Sequence, residues 1–427
     1  MLLEWSHWLS SLHPEELLTF LWALILVDGA RYGLLKIAFA LGDVLRAYFH
    51  AVVGRGPKPE PHVPSVCALL VGYNEADTIA HTLKSVHGSY PRLEIIVLSD
   101  GSTDAMESVS HDFARTHAGV LVMARPHRSG KSSAMNFALQ YTEAEVIVVI
   151  DADSELGPEA LHRIVQPFTD PRVGAVSGTV LGRAPFTNLV TWLQSYEYLN
   201  AILVGRLFAA RMNLLGIVSG AFGAFRASTL RAIGGWDVGP PEDLDLTLAM
   251  RRKGYRIAAA PYANAFTDMP TTWYALLRQR MRWDQSGIIR NHCRKHIDMG
   301  LPWSASFRWS DFVLTAGMWI TNIVCLIGIW IWMIWMACTH GVEMWKPLFT
   351  LYVGYLVIEL AQAMTIVYYS NDKPRDAWLC LCFPIVPIYQ SVLLVERTWA
   401  FLREAFWRAS FEDNFVPWHV RRTTWKW

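Results

Sequence analysis

The tripeptide Asp151-Ala152-Asp153 closes a run of apolar β-formers, Val146 to Ile150. At the carboxyl end of a buried strand, an Asp-x-Asp sets two hard oxygen ligands on the rim of a sheet. There Mg2+ or Mn2+ can bridge them to a diphosphate. Far downstream, Gln279-Arg280-Met281-Arg282-Trp283 precedes the first long membrane-grade segment of the C-terminal third. On a helix capped near Thr271 or Thr272, Gln279, Arg282 and Trp283 fall at i, i+3 and i+4 and present an amide, a guanidinium and an indole on one side. Such a face suits a sugar: Trp stacks on a pyranose, Arg meets diphosphate and Gln hydrogen-bonds hydroxyls. Without the upstream residues, the same helix reads as an interfacial segment with a Trp anchor.

Positioning these groups falls to the stretch between Val63 and about Met299, where short apolar strands alternate with amphipathic helices in the pattern of an α/β domain. Strands are expected at Val66 to Gly72, Glu94 to Leu98, Val120 to Met123, Val146 to Ile150 and Val173 to Val180. Helices are expected near Asp77 to Val86, Asp104 to Thr116, Lys131 to Gln140 and Pro158 to Phe168. Ligands of such sheets collect at the carboxyl ends of the strands. Tyr73-Asn74-Glu75 follows the first strand, Asp100-Gly101-Ser102-Thr103-Asp104 the second and Asp151-Ala152-Asp153 the fourth, so three acidic clusters converge on one rim. Each alone also reads as a helix N-cap, Asp104 above all. Lys131 follows Ser129-Gly130 at a predicted helix start; it reads either as positive charge near phosphates or as a solvated lysine.

Hydrophobic residues make up 52% of the 427 and include 20 Trp, which points to an integral membrane protein with one soluble domain. A net charge of +1 without a long basic run argues against nucleic acid as a partner. Cys67, Cys293, Cys325, Cys338, Cys380 and Cys382 lack Cys-x-x-Cys spacing and read as small core residues rather than disulfides or zinc ligands. The acidic, aromatic opening has no small-residue cleavage site and is not read as a secretory signal. Leu17 to about Phe39 is long enough to cross about 30 Å of hydrocarbon. Asp28, Arg31 and Lys36 interrupt it, and Asp28 and Arg31 are spaced to pair. It is read as an anchor, with an interfacial amphipathic helix as the alternative.

Phe312 to Cys338 carries no charge and Leu348 to Tyr369 only Glu359, so both are expected to span the lipid bilayer. Glu359, near Gln362, either lines a conducting path or makes a structural hydrogen bond between helices. Trp378 to Val395, broken by Pro384 and Pro387, is a kinked span or a re-entrant pair. Arg46, Arg55 and Lys58 on one side, and Arg290, Arg294 and Lys295 on the other, orient the middle domain to the cytoplasm. Arg397, Arg403, Arg408, Arg421, Arg422 and Lys426 place the C-terminus there too, which favours a broken or interfacial third segment. The resulting domains are 1–62, an anchor and linker; 63–299, the α/β domain with interfacial helices; and 300–427, membrane helices and a basic tail.

Gly72-Tyr73-Asn74-Glu75, Ser99-Asp100-Gly101-Ser102-Thr103-Asp104, Lys131 with Asn136, Asp151-Ala152-Asp153, Pro241-Glu242-Asp243 and Gln279-Arg280-Met281-Arg282-Trp283 form an ordered set. In it the chain resembles the family-2 inverting glycosyltransferases, particularly the membrane polysaccharide synthases related to cellulose, chitin, hyaluronan and poly-N-acetylglucosamine synthases. The resemblance covers the catalytic domain and flanking membrane segments, most of the chain. It implies a GT-A fold inserted between transmembrane helices, a UDP-sugar donor and Mg2+ or Mn2+. Glu75 and Asp100 would line a uridine pocket beside Tyr73, with Lys131 and Asp151 at the nucleotide and Asp153 on the metal.

Asp243 matches the family's catalytic Asp, since inversion needs a carboxylate that takes the acceptor hydroxyl proton. Pro241 stands where many relatives have Thr or Gly, so the preceding loop is expected to differ. Glu242 and Asp245 are competing carboxylates or charges that open the helix Leu244 to Arg252; Glu242 is assigned to the acceptor side, with Gln279, Arg282 and Trp283. Ser219 to Arg226 resembles the family's segment under the acceptor, where Gly220 lets a sugar approach the backbone. Leu189 to Leu207 reads as interfacial or core packing. The tail Trp418 to Trp425 loosely matches a loop that closes over UDP in some relatives, and is read as a basic surface tail. No appended regulatory module is seen, which leaves control or export to separate accessory subunits.

The resemblance implies a processive synthase of the bacterial inner membrane that extends a β-linked glycan and passes it through its own helices. Two alternatives stand beside it: a non-processive transferase adding one sugar to a membrane lipid, and an inert export component that keeps the fold. The donor sugar is not legible, because the motifs contact the shared UDP and the reacting centre.

Overall fold

The computed structural model describes residues 2–18, 20, 33–53, 60–237, 241–285, 287, 295–412 and 418. The chain divides into two compact units, Pro57–Leu314 with Trp399–Trp427, and Met1–Gly56 with Thr315–Thr398. The expected Asp28–Arg31 pair, Cys293, the flanking Arg55, Lys58, Arg290 and Arg294, and tail residues 419–427 lie outside the described residues.

In the first unit, β1 (Val66–Gly72), β2 (Leu93–Asp100), β3 (Val120–Arg125), β4 (Val146–Asp151), β5 (Glu155–Leu156), β6 (Val173–Gly182), β7 (Phe222–Arg226) and β8 (Arg256–Thr267) make one sheet. Its order is β3-β2-β1-β4-β7-β6-β8-β5. Every residue of β1 is buried, as a parallel strand covered on both faces requires. Its alternation divides the core: Val66, Ala68 and Leu70 pack with Ile79, Leu83 and Val86, while Cys67, Leu69 and Val71 pack with Ala134, Met135, Leu246 and Met250. β1 pairs in parallel with β2 on one side and with β4 on the other. The chain winds outward to β3 and returns beside β1, which opens a crevice at the carboxyl ends of β1 and β4. This is the switch point where open α/β sheets bind ligands.

The five expected strands are present, and three more complete the sheet. β7 inserts antiparallel between β4 and β6, and β8 runs parallel to β6. The register of β8 shifts opposite Ser177 and Thr179, around Pro261, which has no ladder donor to offer. The stretch from Leu189 is a helix, Leu189–Tyr198, that passes through π-helical turns, Leu199–Gly205, into a second α-helical segment, Arg206–Arg211. Asn188 caps it: Thr191 N donates to Asn188 Oδ1 at 3.0 Å and Asn188 N donates to Thr191 Oγ1 at 3.1 Å. Of the face expected to pack, Leu193, Tyr196 and Leu203 are buried, Trp192 and Leu207 half-buried, and Leu189 exposed.

In the second unit, Trp5 donates its indole N–H to Thr350 Oγ1 at 3.0 Å and Tyr369 donates its hydroxyl to Asp43 Oδ2 at 2.6 Å. Glu359 and Gln362 are buried within it. Two helical stretches among the described residues, 309–369 and 373–407, are long and apolar enough to cross a membrane by length and composition. The second breaks at Phe383–Ile385, around Pro384, before the helix Val386–Trp407. Leu34, Leu41, Leu45, Ile331, Ile334, Val357 and Val395 are exposed, a quantity of bare apolar side chain that water does not favour. Cys67, Cys325, Cys380 and Cys382 are buried as expected, whereas Cys338 is exposed; among the described residues no disulfide forms.

Candidate active site

The loops leaving β1 and β2 are laced together. Asn74 adopts φ +59°, a left-handed conformation that Asn tolerates better than most residues. Its Oδ1 accepts from Thr103 N at 2.8 Å, and its own N–H donates to Ser102 Oγ at 3.1 Å. The N-cap expected at Asp104 falls instead at Ala105, the residue before the helix Met106–Thr116; Asp104, one position earlier, accepts from Met106 N at 3.1 Å, and its other oxygen accepts from Ala76 N at 2.9 Å. Tyr73 lies under the Arg128 guanidinium, 4.1 Å from its ring centre.

Asp100 is buried, and its carboxylate is occupied by the chain that follows β3. Ser129 donates its N–H and hydroxyl to Oδ1 at 3.0 and 2.7 Å, and Gly130 N donates to Oδ2 at 2.8 Å. Gly101, at φ +75°, lies so close to the His127–Arg128 backbone that a Cβ would come within 2.7 Å of the His127 carbonyl carbon. Asp100 and Gly101 thus fix the turn that starts the helix Lys131–Ala138.

From that helix Lys131 reaches back across the rim. Its Nζ donates to Asp151 Oδ1 at 2.5 Å and to Gly220 O at 3.2 Å, and lies 3.5 Å from Glu242 Oε1. Burial opposes its charge, but Asp151 and Glu242 outweigh burial and hold the ammonium above the ordinary lysine value. Asp151 N donates to Ala221 O at 3.2 Å, so the approach to β7 runs against the acidic tripeptide.

The helix Glu242–Arg252 opens with three acids whose environments separate them. Asp245 accepts from Lys295 Nζ at 2.8 Å and lies 2.6 Å from His296 Nε2. Burial would raise its pKa, but these partners hold it below the ordinary carboxylate value. Asp243 accepts from Gly220 N at 3.2 Å and from Leu244 N at 2.7 Å. Burial first, then the Glu242 charge, push its pKa up to about 6, against the opposing pull of the Leu244 N–H, Lys131 and Arg206. A Cβ at Gly220 would stand 3.2 Å from Asp243 Oδ2, a tight contact that the glycine avoids where the carboxylate lies against the backbone.

Thr272 caps the helix Trp273–Arg282 through Oγ1, which accepts from Ala275 N at 3.3 Å. Trp283 continues it in helical geometry and is 46% exposed, leaving much of its indole face open. Gln279 and Arg282 are half-buried beside it. Arg280, by contrast, is buried. It donates to Glu197 Oε2 at 2.9 Å and to Gln279 Oε1 at 3.2 Å, and its guanidinium lies 4.3 Å from the Trp283 ring centre.

Residues 67–234 match the sequence profile of the family described as Glycosyl transferase family 2. The chain carries a family-2 glycosyltransferase domain. A poly-beta-1,6-N-acetyl-D-glucosamine synthase of Staphylococcus epidermidis is 30% identical over 228 residues, which are 53% of this chain and 55% of the relative. Its counterpart in Staphylococcus aureus is 29% identical over 236 residues, 54% and 57% of the two chains. The chain therefore spans about half the length of the curated relatives it matches. Among solved structures, a mannosyltransferase from Pyrobaculum calidifontis in complex with GDP-Man and Mn2+ superposes with a TM-score of 0.55 at 22% identity, covering 86% of this chain and 99% of that one. The likeness is one of fold, and it agrees with the expected GT-A-type α/β sheet.

Glu75, Lys131, Asp151 and Asp153 of the matched region and Glu242 and Asp243 just beyond it form one electrostatic cluster. Burial first, then Asp151, raise the Asp153 pKa; burial first, then Asp153, raise that of Glu75. That mutual repulsion would be relieved by a cation. Among the described residues no three acidic, histidine or cysteine side chains converge to hold an ion by themselves. An ion here would have to take further ligands from outside the protein, as a diphosphate can supply.

The family-2 domain also recruits residues that the sequence reading passed over. Arg183 Nη2 donates to Asp153 O at 2.9 Å and so braces the acidic tripeptide. Glu197 and Arg206 lie on a stretch whose pattern signals packing, and Ser177 lies inside β6. Nothing in local spacing marks them, because their partners are distant in sequence.

Proposed function

We propose that the protein is a membrane polysaccharide synthase. It would transfer N-acetylglucosamine from its UDP derivative, with inversion, onto a growing β-linked glycan, and pass the glycan through its membrane helices from a cytoplasmic active site. The observation that carries this reading is Asp243, a carboxylate with a raised pKa, joined through Glu242 and Lys131 to Asp151 at the switch point. The choice of sugar draws on the names of the synthases it resembles. The bacterial inner-membrane location draws on the apolar helices and their exposed side chains.

In the transfer step the acceptor hydroxyl oxygen attacks C1 of the sugar from the face opposite UDP. The bond from C1 to the diphosphate oxygen breaks, its electron pair leaves with UDP, and the hydroxyl proton passes to Asp243. Bound Mg2+ or Mn2+, held by Asp153 with Asp151 beside it, would neutralise charge gathering on the diphosphate. Lys131 adds positive charge on the same side, Tyr73, Glu75 and Asp100 shape the nucleotide pocket, and Gly220 admits the acceptor next to the base. Gln279, Arg282 and Trp283 hold the acceptor sugar, with Arg280 fixing the indole from below.

Release of UDP by detergent-purified protein with Mn2+ tests the donor. UDP-N-acetylglucosamine is expected to turn over faster than UDP-glucose, UDP-glucuronic acid and GDP-mannose; preference for GDP-mannose would contradict the reading. A base works as its carboxylate, so kcat/KM should fall about tenfold per pH unit as pH drops below a midpoint of about 6. A rate independent of pH through that range would exclude Asp243 as base. Trp283→Ala should weaken transfer to an added N-acetylglucosamine oligosaccharide about tenfold through acceptor KM, the usual order for a truncated contact Trp, with donor KM unchanged.

A further inference from the structure

Arg206 stands immediately after the π-helical turns Leu199–Gly205. Such turns are rare inside α-helices and frequent at functional sites. Here Arg206 Nη1 donates to Ser177 Oγ at 2.8 Å, in the middle of β6. The same oxygen accepts from Ser219 N at 3.4 Å. The next amide along, Gly220 N, donates to Asp243 Oδ2 at 3.2 Å. The guanidinium also interacts with Asp243 through space.

We propose that Arg206 is a positioning residue for the catalytic base: through Ser177 it sets the Ser219–Gly220 amides that hold Asp243, and its charge faces the same carboxylate. This rests on the reading of Asp243 as base. Burial lowers the Arg206 pKa to about 10, so the side chain stays cationic wherever the base titrates. The groups acting on Asp243 are Glu242 and the Leu244 N–H from its own helix, Lys131 from the helix Lys131–Ala138, Arg206 from the π-containing helix and the Gly220 amide ahead of β7. Of the two cations, Lys131 is already committed to Asp151 and Glu242. Arg206 makes no such commitment to the acidic tripeptide, which separates its effect from metal binding. Tyr198, next to Arg206, also feels Arg280; burial raises its pKa and keeps its phenol neutral.

The test is steady-state transfer from UDP-N-acetylglucosamine by full-length purified protein with Mn2+, across about pH 5 to 9. Loss of positive charge beside a carboxylate raises its pKa, so R206Q should move the acid limb up by about one pH unit and lower kcat about tenfold. Donor KM and the Mn2+ dependence should stay within about twofold, and R206K should restore the limb. An unmoved limb in a UDP-binding R206Q, or an R206K as defective as R206Q, would overturn the proposal. If R206Q fails to bind UDP, S177A carries the test: it cuts the relay and should lower kcat with donor KM kept, and wild-type behaviour would overturn the proposal. Full transfer by D243N would remove the base reading and this inference with it. An inactive D243N beside an unmoved R206Q limb would remove this inference alone.

Discussion

Asp243→Asn abolishes glycosyl transfer, with kcat down about a thousandfold, while UDP binding and the fold survive. The amide has the shape of the carboxylate, and its oxygen still accepts the Gly220 N–H, but it takes no proton; general bases contribute about 10²- to 10⁴-fold. The variant should also be at least as stable as the parent. A carboxyl whose folded pKa is raised costs stability progressively as pH rises from its unfolded pKa through the folded one, and in full above it, because the fold disfavours the charged form. At neutral pH Asp243 is charged beside Glu242, and the Asn variant removes that repulsion. Such opposition of activity and stability is characteristic of a site built for chemistry. Thermal unfolding and UDP release, measured on the same preparation, check both halves. An Asp243→Asn protein that is inactive but also markedly less stable would make Asp243 a structural residue instead.

Asp311→Ala lowers the thermal midpoint by several degrees, reflecting a loss of about 3–5 kcal/mol. Arg251, at the C-terminal end of the base helix, is completely buried. It donates to Asp311 Oδ1 from Nε at 2.8 Å and Nη2 at 2.6 Å, and to Asn213 O at 2.8 Å and Leu215 O at 3.2 Å. Arg308 closes the other oxygen of Asp311 at 2.8 Å. Removing Asp311 leaves a guanidinium in the core without its counter-ion. Transfer should fall as well, since the helix carrying Asp243 loses its far anchor. The double variant Arg251→Met, Asp311→Leu should recover most of the lost stability, because apolar groups of similar size avoid the desolvation that the ion pair must overcome. An Asp311→Ala protein as stable as the parent would show that the pair carries no load.

The parallel half of the sheet was legible because β1, β2 and β4 are short, largely apolar runs, and their polar exits stand out by contrast. β7 and β8 were not. Phe222-Gly223-Ala224-Phe225-Arg226 is short and contains a glycine, and β8 is rich in Ala with Pro261 inside it, so neither carries a strand's period. Pro241-Glu242-Asp243 marks the proposed base in the sequence, but only the structure separates Asp243 from Asp245: burial and the Glu242 charge raise the one, while His296 and Lys295 hold the other below the ordinary carboxylate value. Arg280 was hidden by the same spacing argument that favoured Gln279, Arg282 and Trp283, since its partner Glu197 is 83 residues away. Asp100 carries a motif that suggests a ligand contact, yet its oxygens are filled by Ser129 and Gly130, a fact that no local pattern encodes.

The central claim, that this chain polymerises a sugar rather than adding one, is tested most directly by the size of its product. Purified protein in a lipid bilayer disc, given radiolabelled UDP-N-acetylglucosamine and Mn2+, should yield high-mass material that β-N-acetylhexosaminidase digests and that Asp243→Asn does not make. Label confined to a small product extractable into organic solvent would contradict it.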